Sequence, residues 1–109
     1  YRLDDAGTIA EIASTSRDDG MVLDPHSAIG VFAARRAIAD GILPNCTPVV
    51  ALACAHPAKF QDTVARATGT KPALPAHLAD LMQRPERKYL IEANAAAVKS
   101  LILEKKRSL

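Results

Sequence analysis

Aromatic side chains are scarce in this chain of 109 residues, and tryptophan is absent. Phe, Trp and Tyr together make up 4% of the residues, whereas 49% of the residues are hydrophobic. A core must therefore be built from Ala, Leu, Ile and Val, which favours helices packed closely on one another or on a sheet. This composition is typical of an α/β or α-rich protein, and the length suits one globular unit.

The chain also lacks a strong net charge, a long apolar run and a cysteine pattern. A formal charge of +2 indicates no polyanionic partner such as nucleic acid. No apolar run has the length of a membrane span or the form of a secretory signal. Cys46 and Cys54 do not have a CxxC spacing, and a secreted disulfide scaffold of this size would carry more cysteines. These absences favour a cytoplasmic protein with neither a membrane nor a nucleic acid as its partner.

The most informative segment is the apolar run at residues 49–53, which is followed by small and polar residues. A run rich in Val and Leu without polar alternation is typical of a strand covered on both faces, as in parallel sheets. Pro57 then suits the first turn of a helix. Ligands of open α/β sheets bind at the carboxyl ends of strands, where the next helix offers free N–H groups. The sequence therefore predicts a ligand edge at residues 54–59.

Helical periodicity and end signals predict further elements. Asp24 before Pro25 is a helix start, because the carboxylate can accept hydrogen bonds from free N–H groups. The predicted helices cover residues 8–17, residues 25 to a stop at Gly41, residues 57 to a stop at Gly69, residues 76–82 and residues 95–106. At the end of the last helix, Lys105, Lys106 and Arg107 are expected to complement the helix dipole.

The predicted sheet is incomplete. Besides the strand at residues 49–53, the sequence predicts only a short edge strand at residues 89–91. Two strands do not make a stable isolated sheet, which normally needs three or more strands or substantial helix cover. We therefore expect strands to be supplied from outside this chain.

Two blocks of the sequence resemble the carboxyl-terminal part of bacterial and fungal threonine synthases. They are Asp-Pro-His-Ser-Ala at residues 24–28 and Ala-Cys-Ala-His-Pro-Ala-Lys-Phe at residues 53–60. In that family a DPH-T/S-A block opens a helix, and an apolar strand leads into TAHPAKF. Gly69, Leu74-Pro75 and Leu78 match the connector that follows, in the same order. Two ordered blocks and a matching connector are much harder to obtain by chance than one short motif.

The resemblance implies a pyridoxal-phosphate enzyme of the tryptophan-synthase-like fold, fold type II, that converts O-phosphohomoserine and water to threonine and phosphate. Residues 1–109 would be one carboxyl-terminal segment of its large α/β domain, contributing one central parallel strand, a possible edge strand and several helices. The chain begins at Tyr1 rather than at Met, and we expect it to belong to a longer chain, although processing would give the same start. Its expected partners are the upstream part of the enzyme and a small-molecule substrate.

The resemblance also implies one cofactor contact, at Cys54. The family has a hydroxyl residue at this position, which hydrogen-bonds the pyridine nitrogen of the cofactor. A thiol is a weaker and longer partner, but it likewise leaves the ring nitrogen uncharged. The family's Schiff-base lysine, in an SFKD-type segment, and its Gly-rich phosphate loop both lie upstream, and neither is present here. Lys59 lacks that context, so no catalytic residue is expected in this chain, which alone should be inactive.

Each of these residues also has a simpler interpretation. Cys54 would then be a small packed hydrophobe, Cys46 an incidental turn residue, and His26 and His56 caps at helix starts. A zinc site formed by His26, Cys54 and His56 has neither a standard spacing nor a fourth ligand, so no metal is expected. For the whole chain, the alternatives are a free-standing α/β interaction module without catalysis and a related pyridoxal-phosphate enzyme with another substrate.

Overall fold

A computed structural model describes residues 1–106, which contain seven helical segments joined by irregular chain. The four α-helices are α1 (Asp5–Asp19), α2 (Pro25–Ala39), α3 (Gln61–Thr68) and α4 (Ala95–Lys106). The three short 3₁₀-helices are Pro57–Phe60, Ala76–Leu78 and Leu81–Gln83. The chain forms two compact units, residues 1–76 and the part that begins at His77. Within the described residues, no helix is both long and apolar enough to cross a bilayer.

The ends of α1 and α2 follow from local chemistry. The Asp4 carboxylate accepts the N–H of Gly7 at 2.8 Å and caps α1, which begins three residues before the predicted start. Asp24 caps α2, with Pro25 in its first turn, as the sequence predicts. Beyond α2, Gly41 has a φ of 72° and donates its N–H to Ile38, so the predicted stop is confirmed.

The core of the first unit lies where α1 packs against α2 and α3. Its buried cluster consists of Ile12, Leu23 and Ala28, with Val31 and Ala67 packed against it. These side chains are small or aliphatic, as the scarcity of aromatic residues requires. The core therefore forms between helices, and no sheet takes part in it within residues 1–106.

A polar clamp on the surface also joins α1 to α2. The Arg35 guanidinium lies 2.6 Å from Glu11 and 2.6 Å from Asp19, and it donates to the Thr15 hydroxyl at 3.2 Å. One side chain of α2 thus spans more than two turns of α1. The sequence periodicity does not indicate this contact, because the four residues lie on two separate helices.

The predicted strand at residues 49–53 is not confirmed, because no strand is present among residues 1–106. This segment is irregular, and the side chains of Val50 and Leu52 are 84% and 78% exposed. No hydrogen bond between backbone groups involves residues 48–55 within the described part of the chain. A strand exists only through hydrogen bonds to a neighbouring strand, and the described part of the chain supplies no such neighbour.

The second unit has no buried residue between residues 77 and 106. The helix predicted at residues 76–82 is instead two 3₁₀ turns, and Arg84 pairs with Asp80 at 2.6 Å after the second turn. The edge strand predicted at residues 89–91 is not confirmed, because Leu90 is 99% exposed and no strand is present within residues 1–106. The bounds of α4 are as predicted, and Lys105 lies over the Tyr89 ring at 4.5 Å. Arg107 lies outside the described residues.

Candidate functional site

Asp24 is the buried centre of the first sequence block, with 1% of its surface exposed. Its carboxylate accepts the N–H of His26 at 2.9 Å and the N–H of Ser27 at 3.5 Å. The Ser27 hydroxyl donates a short hydrogen bond to the other carboxylate oxygen. Asp24 is thus an N-cap, as the sequence predicts, and it also anchors the two residues that follow Pro25.

These hydrogen bonds set the ionisation of Asp24. Burial of the carboxyl raises its pKa, whereas the Ser27 hydroxyl and the N–H groups of His26 and Ser27 donate to the ionised form and lower it. The hydrogen bonds outweigh burial, so the pKa of Asp24 lies below its ordinary value. The group is therefore a carboxylate at neutral pH, and its charge is fully engaged within the chain.

His26 and Phe60 bring the two sequence blocks together. The rings are 5.1 Å apart between centroids and tilted by 57°. Nδ1 of His26 also lies 3.2 Å from the Asp24 carboxylate, so the imidazole bridges the buried cap and the aromatic ring. The sequence pattern does not indicate this contact. Thirty-four residues separate the two rings, and no periodic pattern links them.

His56 is the N-cap of the 3₁₀-helix Pro57–Phe60. Its Nδ1 accepts the N–H of Ala58 at 3.1 Å, which requires that the neutral ring carry its proton on Nε2. The helix then continues directly into α3, which ends at Gly69 as predicted. The capping interpretation of His56 is thus the one that the structure supports.

Cys54 lies just before this cap and is exposed. Its thiol donates a long and weak hydrogen bond of 3.8 Å to the Leu52 carbonyl oxygen, which it can exchange for a better acceptor. The simpler interpretation, a small packed hydrophobe, does not describe this side chain in the structure. A free neutral thiol can face one ring nitrogen of a cofactor, and the donor set at this turn fits one such contact.

The other candidate residues form no further site. Lys59 is exposed, with its Nζ 5.8 Å from the centre of the Phe60 ring. Cys46 is a free, exposed thiol in a turn. Among residues 1–106, no group of three His, Cys, Asp or Glu side chains is arranged to hold a metal ion.

Phe60 also lines a small open cavity of about 250 Å³. It is lined by residues of α1, the start of α2 and α3, including Thr8, Thr63 and Arg66. Its walls mix aliphatic and polar groups without a convergent set of donors. The candidate site is therefore the turn at residues 54–60 rather than this cavity.

The structure closely matches a solved pyridoxal-phosphate enzyme. The crystal structure of PLP bound threonine synthase from Brucella melitensis superimposes with a TM-score of 0.74 at 42% identity. The match covers 95% of this chain and 21% of that one. The fold of this chain is therefore similar to one region of this class of enzyme.

Sequence comparisons lead to the same family. The family model described as "Threonine synthase, C-terminal" matches residues 27–102. Threonine synthase from Pseudomonas aeruginosa is 43% identical over 99 residues, and that from Saccharomyces cerevisiae is 35% identical over 91 residues. These alignments cover 90% and 76% of this chain. The chain belongs to the threonine synthase carboxyl-terminal family.

The chain spans about a fifth of the length of these relatives, namely 20% of the Pseudomonas protein and 18% of the yeast protein. The likeness therefore concerns one region of a larger enzyme.

Proposed function

We propose that this chain is the carboxyl-terminal part of a threonine synthase that converts O-phosphohomoserine and water to threonine and phosphate. The observation that carries the proposal is the family match over residues 27–102, together with relatives that are threonine synthases. The reducing conditions of the cytoplasm suit its two free thiols.

Pyridoxal phosphate is the proposed cofactor, and it supplies the electron sink that the reaction needs. The structural neighbour from Brucella melitensis is a PLP-bound enzyme, which supports this assignment. The upstream part of the same protein would supply the Schiff-base lysine and the phosphate loop. Lys59 does not replace that lysine, because it lies exposed in a 3₁₀-helix beside Phe60.

Cys54 is the residue of this chain that we place against the pyridine nitrogen. Its exposed thiol and its position between the irregular apolar segment at residues 49–53 and the His56 cap support the role. A neutral partner leaves the ring nitrogen without a proton, whereas a carboxylate there would hold the nitrogen protonated. Cys54 would therefore orient the ring and limit its electron withdrawal, and it would transfer no proton itself.

The upstream part of the enzyme is also the proposed partner of residues 49–53. Ala51 lies towards α2, where a Cβ on Gly30 would come within 3.5 Å of the Ala51 Cβ. Val50 and Leu52 are exposed, and the backbone of residues 48–55 has no backbone partner within residues 1–106. We propose that this segment becomes a strand of the complete sheet, with α2 covering one of its faces.

The test of the function uses the full-length protein loaded with pyridoxal phosphate. We expect it to release phosphate from O-phosphohomoserine and to form threonine in equal amount, measured by phosphate assay and chromatography. O-phosphoserine, which is one methylene shorter, is the control substrate and should react far more slowly. Turnover of O-phosphoserine with none of O-phosphohomoserine would replace this proposal by the related enzyme with another substrate.

A further inference from the structure

The side chain of His56 caps the turn that follows Cys54. Its Nδ1 accepts the N–H of Ala58 at 3.1 Å, and its carbonyl oxygen accepts the N–H of Lys59 at 2.9 Å. No hydrogen bond between backbone groups involves residues 48–55 in the described part of the chain. The two hydrogen bonds of His56 are therefore the first ones after this irregular segment that involve backbone N–H groups. The cap thus lies two residues after Cys54.

A second anchor holds the far end of the same turn. Ala58 is buried, with 3% of its surface exposed, and Phe60 packs against the ring of His26. His26 is in turn held by the buried Asp24 carboxylate. The 3₁₀-helix is thus fixed to α2 at its carboxyl end, and its amino end is fixed by His56.

We infer that His56 is a positioning residue for the cofactor contact at Cys54. This inference rests on the proposed function and deepens it. His56 acts through the Ala58 N–H: the capped turn holds residues 54–58 in one conformation, so that the thiol meets the ring nitrogen without first being ordered. A contact that is already ordered before binding costs less conformational entropy than one that must be ordered on binding.

The experiment compares substitutions of two caps in the full-length enzyme. His56→Ala removes the cap that follows Cys54. Asp4→Ala removes the cap of α1, because the Asp4 carboxylate accepts the Gly7 N–H. His56→Asn keeps a cap, because Asn is among the preferred N-cap residues. For each variant, we would titrate the apoenzyme with pyridoxal phosphate, following the absorption spectrum of the bound cofactor, and record thermal unfolding.

We expect His56→Ala to weaken cofactor binding by about fivefold, the effect of losing one helix cap, and to change the spectrum of the bound cofactor. His56→Asn should restore affinity and spectrum to near the wild-type values. Asp4→Ala should lower the unfolding temperature and leave both cofactor readouts unchanged. This pattern separates positioning of Cys54 from a general loss of stability.

Wild-type cofactor affinity and spectrum in a folded His56→Ala enzyme would overturn the inference, as would a His56→Asn enzyme no better than His56→Ala. If His56→Ala does not fold, His56→Gln takes its place, since Gln keeps a polar side chain but is not a preferred N-cap residue. A folded wild-type protein that binds no pyridoxal phosphate would refute the proposed function itself, which is a different result from normal binding by the variants.

Discussion

At the scale of single residues, the two sequence blocks differ. Residues 24–28 contain a buried carboxylate that holds its neighbours, and residues 53–60 contain a turn that His56 caps. Asp24 is buried and holds Ser27 and His26, while His56 caps the turn that follows Cys54. The contact of His26 with Phe60 connects the two blocks. These three polar residues therefore hold local structure, whereas Cys54 is exposed and is the residue that we propose as the cofactor contact.

Asp24 should make stability depend on pH in the acid range. Its folded pKa is lowered, so its contribution is complete above the unfolded value of about 3.9 and is lost as pH falls through the folded pKa. Asp24→Asn keeps an N-cap residue but removes the charge. We expect this variant to flatten the fall in stability below about pH 4, measured as urea midpoints from pH 2 to pH 6.

The matched control for Asp24 is Glu92→Gln, which neutralises an exposed carboxylate of the second unit. It should leave the acid limb of the same curve close to wild type. An Asp24→Asn protein that keeps the full wild-type slope would show that the charge of Asp24 does not stabilise the fold.

The proposed role of Cys54 is tested by changing the charge of the partner that faces the ring nitrogen. Cys54→Ser should keep the cofactor absorbance and most of the activity, because a hydroxyl is also neutral. Cys54→Asp should shift the absorbance and lower turnover by about tenfold or more, since hydrogen bonds to charged groups contribute about 1.5–3 kcal/mol.

Cys46→Ser is the control, because Cys46 is the second exposed free thiol in the chain. It should match wild type in both readouts. Unchanged absorbance and activity in Cys54→Asp would remove Cys54 from the cofactor site.

At the scale of elements, helix ends are decided by local chemistry and strands are not. Asp4, Asp24 and His56 begin helices with side-chain caps, and Gly41 and Gly69 follow helix ends with positive φ angles. Each of these signals acts within about four residues and needs no distant partner. The segment at residues 49–53 has the composition of a strand, but a strand needs a neighbour.

Two identical substitutions of glycine should have opposite effects on stability. Gly30 lies inside α2, and an added Cβ would make an ordinary contact of 3.5 Å with Ala51. Gly69 has a φ of 77°, which L-residues rarely adopt, although the space around it is open. Gly30→Ala should stabilise by about 0.5–1 kcal/mol, and Gly69→Ala should destabilise by about 1–2 kcal/mol.

The midpoint of urea unfolding of the same protein measures both effects, and each variant serves as the control for the other. A rise for Gly30→Ala with a fall for Gly69→Ala is the expected order. The reverse order would contradict the backbone conformations on which the prediction depends.

At the scale of the whole molecule, this chain leaves apolar surface that its own helices do not cover. Val50 and Leu52 are 84% and 78% exposed, and the backbone around them is unpaired within the described residues. Burial of such side chains contributes about 1.5–3 kcal/mol each. This surface is the physical reason to expect association with the upstream part of the enzyme.

The upstream part and this chain, produced separately, should restore threonine synthase activity only when mixed. Leu52→Asp should weaken their association by about tenfold or more, because it removes the burial of one large side chain. Met82→Asp is the control, since Met82 is 71% exposed in the second unit and lies outside residues 49–53. Activity titrations of one part against the other measure the association.

Activity of the isolated 109-residue chain would contradict its role as a part of the enzyme. Equal association of Leu52→Asp and wild type would show that residues 49–53 do not dock on the upstream part.

The match between sequence and structure is uneven for physical reasons. The bounds of α4, the Asp24 cap and the stops at Gly41 and Gly69 were predictable, because nearby side chains determine them. The 3₁₀ turns that replace the helix predicted at residues 76–82 were not, because short apolar runs are compatible with several local structures.

By itself, the sequence determined the family, the Asp24 cap, the stops at Gly41 and Gly69 and the position of Cys54 beside a capped turn, since each depends on neighbouring residues or on ordered motifs. Only the tertiary structure decided that His26 meets Phe60, that Arg35 joins α1 to α2, and that residues 49–53 remain unpaired within the described chain. The two contacts join residues far apart in sequence, and the pairing of residues 49–53 needs a neighbouring strand. All three therefore depend on how whole elements pack. A local pattern specifies the elements, whereas the contacts between them depend on which surfaces the chain can bring together.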